Sequence, residues 1–131
     1  MVIRQGKLED IESLRKIDNL SLKAKHSTDY FLENLGNIIV AIDSGRVLGY
    51  IMCKGEEISN LVVHPDFRKK GIGNSLVKEV MKKSKRLILR TRETNRDAYI
   101  FFKKIGFTKK RKIERYYSNG DNAIEMELKK Q

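Results

Sequence analysis

Residues 58–80, ISNLVVHPDFRKKGIGNSLVKEV, decide the fold of this chain. The continuous apolar run at 61–63 predicts a strand that is covered on both faces. Pro65 ends that strand, because proline cannot donate to a sheet ladder. A basic glycine loop follows, and apolar side chains then recur with helical spacing at Ile72, Leu76, Val77, Val80 and Met81. The stretch therefore predicts a strand, a turn, a glycine loop and an amphipathic helix, in that order.

The glycine loop predicts a site for a pyrophosphate. A helix that begins at a glycine presents unpaired backbone N–H groups, and the helix dipole adds partial positive charge at that end. The neighbouring side chains of Arg68, Lys69 and Lys70 strengthen the attraction for an anion. The spacing leaves a second interpretation open, in which Gly71 and Gly73 only form a tight turn and the lysines are solvated.

Two spaced motifs resemble those of the GNAT superfamily of N-acetyltransferases. The pattern Val63-x-Pro65-x-Phe67-Arg68-x-x-Gly71-x-Gly73 is similar to the acetyl-CoA motif of that family. A second family block, N-x-x-A-x-x-(F/L)-Y-x-K-x-G-F, is matched by Asn95, Ala98, Phe101, Lys104, Gly106 and Phe107. The resemblance covers essentially the whole chain. It implies the GNAT acyl-CoA N-acyltransferase fold, an α/β class with a central mixed sheet of about seven strands flanked by about four helices.

The same resemblance implies that acetyl-CoA is the acetyl donor. In that fold the pantetheine arm lies along the central strand like an added strand, and the glycine loop holds the pyrophosphate. A backbone N–H near Val62 or Val63 would stabilise the oxyanion. The cofactor-binding residues that follow from the resemblance are Leu61, Val62, Val63, Arg68, Lys69, Lys70, Gly71, Ile72, Gly73, Asn74, Asn95 and Phe102.

Proton transfer needs a base for the acceptor amine and an acid for the leaving thiolate. Glu57 is the candidate base, because many GNAT members carry a glutamate at the corresponding place; the alternative is a solvated carboxylate paired with a lysine. The usual tyrosine acid of the second motif is replaced here by Phe102. The bacterial ribosomal-protein N-terminal acetyltransferases, which the chain also resembles, place a glutamate where this chain has Arg90.

The phenols of Tyr99, Tyr116 and Tyr117 are the remaining candidate proton donors, and Tyr116 is the one we assign to catalysis. The block from Arg115 to Met126 resembles the C-terminal part of protein N-terminal acetyltransferases, in which tyrosines hold the peptide backbone. This implies that Tyr116 and Tyr117 bind a peptide acceptor. The alternative interpretation is a tyrosine-rich hairpin whose rings pack on the sheet.

Three functions therefore stay open, and we favour acetyl transfer to a protein N-terminal α-amine. The first alternative is an acetyltransferase for a small amine such as a polyamine or an aminoglycoside. The second is a catalytically silent acetyl-CoA-binding or ribosome-associated protein. The chain has a net charge of +11, and residues 68–115 hold 18 Lys and Arg against 4 Asp and Glu, which favours an anionic ligand or partner.

The bulk properties of the 131 residues predict one domain over residues 1–131 in the cytoplasm. The N-terminus lacks the apolar region of a signal peptide, and no apolar run approaches the length of a membrane span. Cys53 is alone, so neither a disulfide framework nor a metal site is expected. His26 and His64 are interpreted as structural or solvent-facing. The oligomeric state is left open.

Local patterns predict the other elements. An amphipathic helix is expected from Leu8 to Leu20, then a loop at 21–28 and a short helix capped by Thr28 or Asp29. The turn at 43–46 predicts a hairpin. The helix after Asn95 is expected to bury Ala98, Phe101, Phe102 and Ile105. Residues 107–117 and 124–128 are predicted as strands, and in the second of these Glu125 and Glu127 alternate with the apolar face.

Overall fold

The computed structural model describes residues 1–21 and 26–131, which contain four α-helices and seven β-strands. The strands are β1 Val2–Gln5, β2 Ile38–Asp43, β3 Arg46–Lys54, β4 Glu57–Val63, β5 Arg86–Arg92, β6 Thr108–Ile113 and β7 Ala123–Lys129. The helices are α1 Ile11–Leu20, α2 Thr28–Glu33, α3 Ile72–Met81 and α4 Arg96–Ile105. The strands form a mixed sheet in the order β1-β2-β3-β4-β5-β7-β6. The predicted α/β class and mixed sheet are confirmed.

The described chain divides into two compact units. Unit 1 comprises Met1–Lys54 and Ser59–Lys83, and unit 2 comprises Gly55–Ile58 and Ser84–Gln131. Strand β4 therefore contributes its first two residues to unit 2 and the remainder to unit 1. The extent of the domain, 1–131, stays a prediction.

Unit 1 is built on an antiparallel meander of β1, β2 and β3. The turn at 43–46 connects β2 to β3 as the sequence predicts, with Ser44 and Gly45 both at positive φ. One apolar cluster joins α1, α2 and these strands, and its buried members are Ile11, Leu14, Phe31, Ile38, Val40, Tyr50 and Met52. The helix expected from Leu8 begins instead as a 3-10 turn over Leu8–Asp10, where the buried Asp10 carboxylate accepts hydrogen bonds from Arg4 and from the Lys7 backbone N–H.

Strands β3 and β4 approach each other closely at Gly49. A Cβ atom on Gly49 would lie 2.8 Å from the carbonyl oxygen of Val62, so only glycine fits there without a shift of the backbone. The run Leu61–Val63 is half-buried in the structure, which corrects the prediction of a strand covered on both faces. A continuous apolar run gives no information on how much of its surface the protein itself covers.

Unit 2 contains the start of β4 and the strands β5, β6 and β7. The first residue of β4, Glu57, lies opposite Ile88 of β5, and the two strands are parallel as predicted. Strand β7 runs antiparallel between β5 and β6. Strand β6 is a basic sequence, TKKRKI, whose first five side chains are exposed.

Four local predictions are corrected by the structure. The N-cap of α2 is Ser27, whose side chain accepts a hydrogen bond from the Tyr30 backbone N–H. The side chains expected on the buried face of α4 are less buried than predicted: Phe101 is 38% exposed, and Ala98, Phe102 and Ile105 are half-buried. The strand expected over 107–117 ends at Ile113, because the chain turns at 114–115. Glu125 is buried, although alternation predicted an outward position. Residues 22–25 of the expected loop lie outside the described residues.

Candidate functional site

The glycine loop in unit 1 has the geometry of an anion site. Gly71 is the N-cap of the ten-residue helix α3 and adopts the left-handed conformation, with φ of 79°. Lys69 also has a positive φ, of 64°. Because the cap is a glycine, no side chain at that position covers the N–H groups of the first helical turn. The predicted strand-to-helix loop is therefore formed.

The cationic side chains beside this loop are exposed. Arg68 donates from Nε to the carbonyl of Val63, at 3.2 Å, so its guanidinium stays near the end of β4. The ammonium group of Lys70 lies 5.5 Å from the centre of the Phe67 ring. Lys69 is exposed as well. The loop thus combines exposed positive side chains with the positive end of a helix.

The half-buried run Leu61–Val63 leads directly into this loop within unit 1. Half-buried apolar side chains on a strand can pack against an extended apolar part of a ligand. A helix N-terminus with cationic side chains nearby can bind the phosphate groups of the same ligand. A pantetheine arm that ends in a pyrophosphate has both parts. The residues of unit 1 therefore fit acetyl-CoA.

A network of two carboxylates and two guanidiniums lies in unit 2. Arg90 on β5 donates from Nη1 to Glu57, at 2.6 Å, and from Nε to Glu125, at 3.1 Å. Arg111 on β6 donates from Nε to the second oxygen of Glu125, at 2.9 Å. The alternative interpretation of Glu57 named a lysine as its partner, whereas the structure gives it Arg90.

The network fixes the charge of its central groups. The hydrogen bond from Arg111, followed by that from Arg90, outweighs burial and lowers the pKa of Glu125. Burial disfavours the charged form of Arg90 and lowers its pKa. The hydrogen bond to Glu125 and the negative charge of Glu57 outweigh this effect, so the pKa of Arg90 is raised overall. Arg90 is thus a permanent cation that joins an exposed carboxylate to a buried one. Sequence reasoning missed the burial of Glu125 and its arginine partners, because strand alternation was the only local signal and it predicted an outward side chain.

Both tyrosines assigned to the peptide lie near arginines of β5. The guanidinium of Arg90 is 5.6 Å from the centre of the Tyr116 ring, and that of Arg92 is 4.0 Å from the centre of the Tyr117 ring. Arg92 also pairs with Asp121, at 2.9 Å, which holds the turn that carries the tyrosines. Burial raises the pKa of Tyr117. Tyr116 is exposed, whereas Tyr117 is half-buried.

Asn95 and Phe102 have structural contacts in unit 2. The side chain of Asn95 caps α4 by accepting from the Ala98 backbone N–H, at 3.2 Å. The ring of Phe102 packs edge-to-face on Phe107, with 5.6 Å between the ring centres. Their predicted contribution to cofactor binding stays a prediction.

Known proteins resemble this chain in sequence and in fold. Residues 34–109 match the family described as acetyltransferase (GNAT) domain. An N-alpha-acetyltransferase of Sulfurisphaera tokodaii is 28% identical over 95% of this chain and 90% of its own. A putative ribosomal protein bS18-alanine N-acetyltransferase of Bacillus subtilis is 27% identical over 95% of this chain and 92% of its own. The crystal structure of Ard1 from Thermoplasma volcanium has a TM-score of 0.81 and 27% identity, covering 99% of this chain and 97% of that one.

These similarities and the fold define an N-acetyltransferase. The family match extends over more than half of the residues, and the chain belongs to the GNAT acetyltransferase family, whose members use acetyl-CoA. Among the described residues, none of the helices is both long enough and apolar enough to cross a membrane.

Proposed function

We propose that this protein transfers the acetyl group of acetyl-CoA directly to the N-terminal α-amine of a protein. The observation that carries this substrate class is the similarity, over 95% of the chain, to relatives named as N-alpha-acetyltransferases. The tyrosine-bearing turn after β6 supports a peptide acceptor, because phenols can donate to and accept from a peptide backbone.

Unit 1 binds the donor in this proposal. The N–H groups at the start of α3, together with Arg68, Lys69 and Lys70, hold the pyrophosphate of acetyl-CoA. The strand residues Leu61–Val63 hold the pantetheine arm, and their half-buried apolar side chains support this assignment. When bound, acetyl-CoA supplies an acetyl group that is activated as a thioester.

Unit 2 contributes to the acceptor site in this proposal. Tyr116 and Tyr117 bind the backbone of the first acceptor residues, and the hydroxyl of Tyr116 gives a proton to the leaving thiolate. Tyr116 is favoured over Tyr117 for proton transfer because its side chain is the more exposed of the two. This assignment replaces the acid that Phe102 cannot supply.

The assignment of the base to Glu57 stays a prediction. Its carboxylate contacts the Arg90 guanidinium at 2.6 Å, and this ion pair stabilises the negative charge. The same negative charge can attract the positively charged N-terminus of the acceptor.

A cytoplasmic location near the ribosome is part of the proposal. The basic stretch 68–115 and the exposed basic strand β6 suit a neighbour rich in phosphate. The name of the Bacillus subtilis relative refers to a ribosomal protein, which supports the same setting. Co-sedimentation with ribosomes that weakens steeply with added salt is expected; binding that salt does not change would contradict the electrostatic argument.

The test measures thiol release from acetyl-CoA with three sets of acceptors. The first set contains peptides with free N-termini, the second contains the same peptides with blocked N-termini and an internal lysine, and the third contains polyamines and aminoglycosides. Mass spectrometry locates the acetyl group on each product. Acetylation of free N-termini alone is expected. Acetylation of the small amines alone, or acetyl-CoA binding without turnover on any acceptor, would contradict the proposed function.

A further inference from the structure

A buried carboxylate in unit 1 makes contacts that the proposed reaction has not used. Asp18 on α1 is 1% exposed. One of its oxygens accepts a hydrogen bond from the Tyr50 hydroxyl, at 2.6 Å. The other oxygen lies 2.7 Å from Nδ1 of His26 and also accepts from the His26 backbone N–H, at 3.3 Å. His26 was interpreted as structural or solvent-facing, and this paired ring was not expected.

These contacts orient the imidazole of His26. Burial, and next the hydrogen bond to Asp18, raise the pKa of Tyr50. The Tyr50 hydroxyl therefore stays protonated and donates a hydrogen bond to the carboxylate. The carboxylate is then left to accept from Nδ1–H of His26. In the neutral ring the other nitrogen, Nε2, is consequently the acceptor. A carboxylate that fixes an imidazole in this tautomer is the arrangement that makes histidine an effective base.

The oriented ring lies near β4, the strand proposed to bind the donor. His26 stacks on Tyr30 of α2, with 4.1 Å between the ring centres. The Tyr30 hydroxyl lies 3.4 Å from Nδ2 of Asn60, which immediately precedes Leu61–Val63. The His26 side chain is 20% exposed, so a substrate or a water molecule can reach it. Among the described residues, the titratable groups that contact the ring are Asp18 from α1 and Tyr30 from α2, and Tyr50 from β3 contacts Asp18.

Histidine suits the proton transfer better than an ion-paired carboxylate does. An N-terminal α-amine ordinarily has a pKa of about 7.7–8.0, whereas histidine lies near 6.5 and glutamate near 4.3. A base is most effective when its pKa lies close to that of the group it deprotonates and to the working pH. Glu57 also carries the ion pair with Arg90. By residue type, an imidazole therefore matches the amine better than a carboxylate does.

We propose that His26, oriented by Asp18 as its positioning residue, is the base that deprotonates the acceptor amine. The N–H bond of the ammonium breaks, and its proton goes to Nε2 of His26 directly or through one water molecule. The released lone pair forms the N–C bond to the acetyl carbon, and the C–S bond breaks to leave a thiolate. The new amide nitrogen loses its second proton to solvent, and the thiolate takes a proton from the Tyr116 hydroxyl, which solvent then reprotonates. His26 returns its own proton to solvent. This inference rests on the proposed function.

The first experiment compares the pH dependence of kcat, at saturating acetyl-CoA and peptide, in four proteins. These are the wild type, His26→Gln, His64→Gln and Glu57→Gln. His64 is the chain's second histidine and accepts at Nδ1 from the Asp66 backbone N–H, far from Asp18 in sequence. Loss of a general base lowers kcat by about 100-fold or more. His26→Gln should show this loss and lack any rise of kcat with pH that the wild type shows, with an unchanged KM for acetyl-CoA.

The outcomes separate the inference from the proposed function. The pH dependence in His64→Gln should match that of the wild type. If Glu57→Gln, rather than His26→Gln, removes the rise, the base is Glu57 and the inference is overturned. The inference is also overturned if His26→Gln keeps the wild-type pH profile. If the wild type itself fails to acetylate peptides but binds acetyl-CoA, the proposed function fails instead.

A second readout does not depend on turnover. In the His64→Gln background His26 is the single histidine, so its ring signals in an NMR titration are assigned without ambiguity. Addition of Asp18→Asn should change both the midpoint of this titration and the ring-nitrogen shifts that report the tautomer. Tyr50→Phe should change them less, because it removes only one hydrogen bond to Asp18. Identical titrations in all three proteins would overturn the positioning role of Asp18.

Discussion

Replacement of Glu125 by glutamine should destabilise the protein in a pH-dependent way. The carboxylate is 4% exposed and accepts from Arg111 at 2.9 Å and from Arg90 at 3.0 and 3.1 Å. Arg111 is 60% exposed, and water screens its interaction. Arg90 is 26% exposed, so water screens its interaction with Glu125 less. Hydrogen bonds to charged groups contribute about 1.5–3 kcal/mol, so we expect a loss of about 2 kcal/mol at pH 7.

The pH dependence follows from the lowered pKa of Glu125 in the folded protein. A carboxyl group with a lowered folded-state pKa stabilises the fold above its unfolded value, about 4.3 for glutamate, and this contribution is lost as the pH falls through the folded value. Glutamine does not titrate. The difference in stability between the wild type and Glu125→Gln should therefore shrink as the pH is lowered from 7 to 3.

The assay is urea unfolding followed by circular dichroism at both pH values. The control is Glu114→Gln, which changes an exposed glutamate in the turn after β6 and should alter stability by less than about 0.5 kcal/mol. A loss below about 0.5 kcal/mol for Glu125→Gln at pH 7 would refute the reasoning. So would an equal loss at pH 7 and pH 3.

Three further predictions concern the acetyl-CoA site and the proton donor for the thiolate. Gly71→Glu should abolish acetyl-CoA binding in calorimetry, whereas Gly45→Glu, at a similar φ of 75° in the hairpin turn, should keep it; normal binding by Gly71→Glu would remove the phosphate assignment. Gly49→Val should lower both the melting temperature and acetyl-CoA affinity, because its Cβ would lie 2.8 Å from the Val62 carbonyl; unchanged affinity would separate Gly49 from the donor strand. Tyr116→Phe should lower kcat by about 100-fold with little change in acetyl-CoA affinity, and an unchanged kcat would exclude Tyr116 as the acid.

Local patterns predicted much of the fold, because they act over a few residues. The hairpin turn at 43–46, the glycine before α3 and the Asn95 cap of α4 are each specified by neighbours in sequence. The same reasoning did not show that Phe101 is exposed. Helical spacing defines which side chains share a face, but it does not define how much of that face the rest of the protein covers.

The interactions that sequence reasoning missed join residues far apart in the chain. Glu125 is buried because arginines from β5 and β6 neutralise it, and the alternation of β7 contains no sign of either partner. Asp18 contacts His26 across 8 residues of sequence and Tyr50 across 32. No periodic pattern encodes such a contact, so only the folded structure could bring these three groups together.

The charge of β6 also bears on self-association. This strand lies at one end of the sheet order, and in the part of the chain that the structure describes no strand pairs with its outer edge. Its exposed run Lys109–Lys112 is entirely cationic. A second copy that added its own β6 edge to edge would align like charges at strand spacing, which strongly disfavours such pairing. The four-residue β1 at the opposite end offers only a short template. The lysines and the arginine of β6 therefore protect the protein against aggregation through its sheet edge.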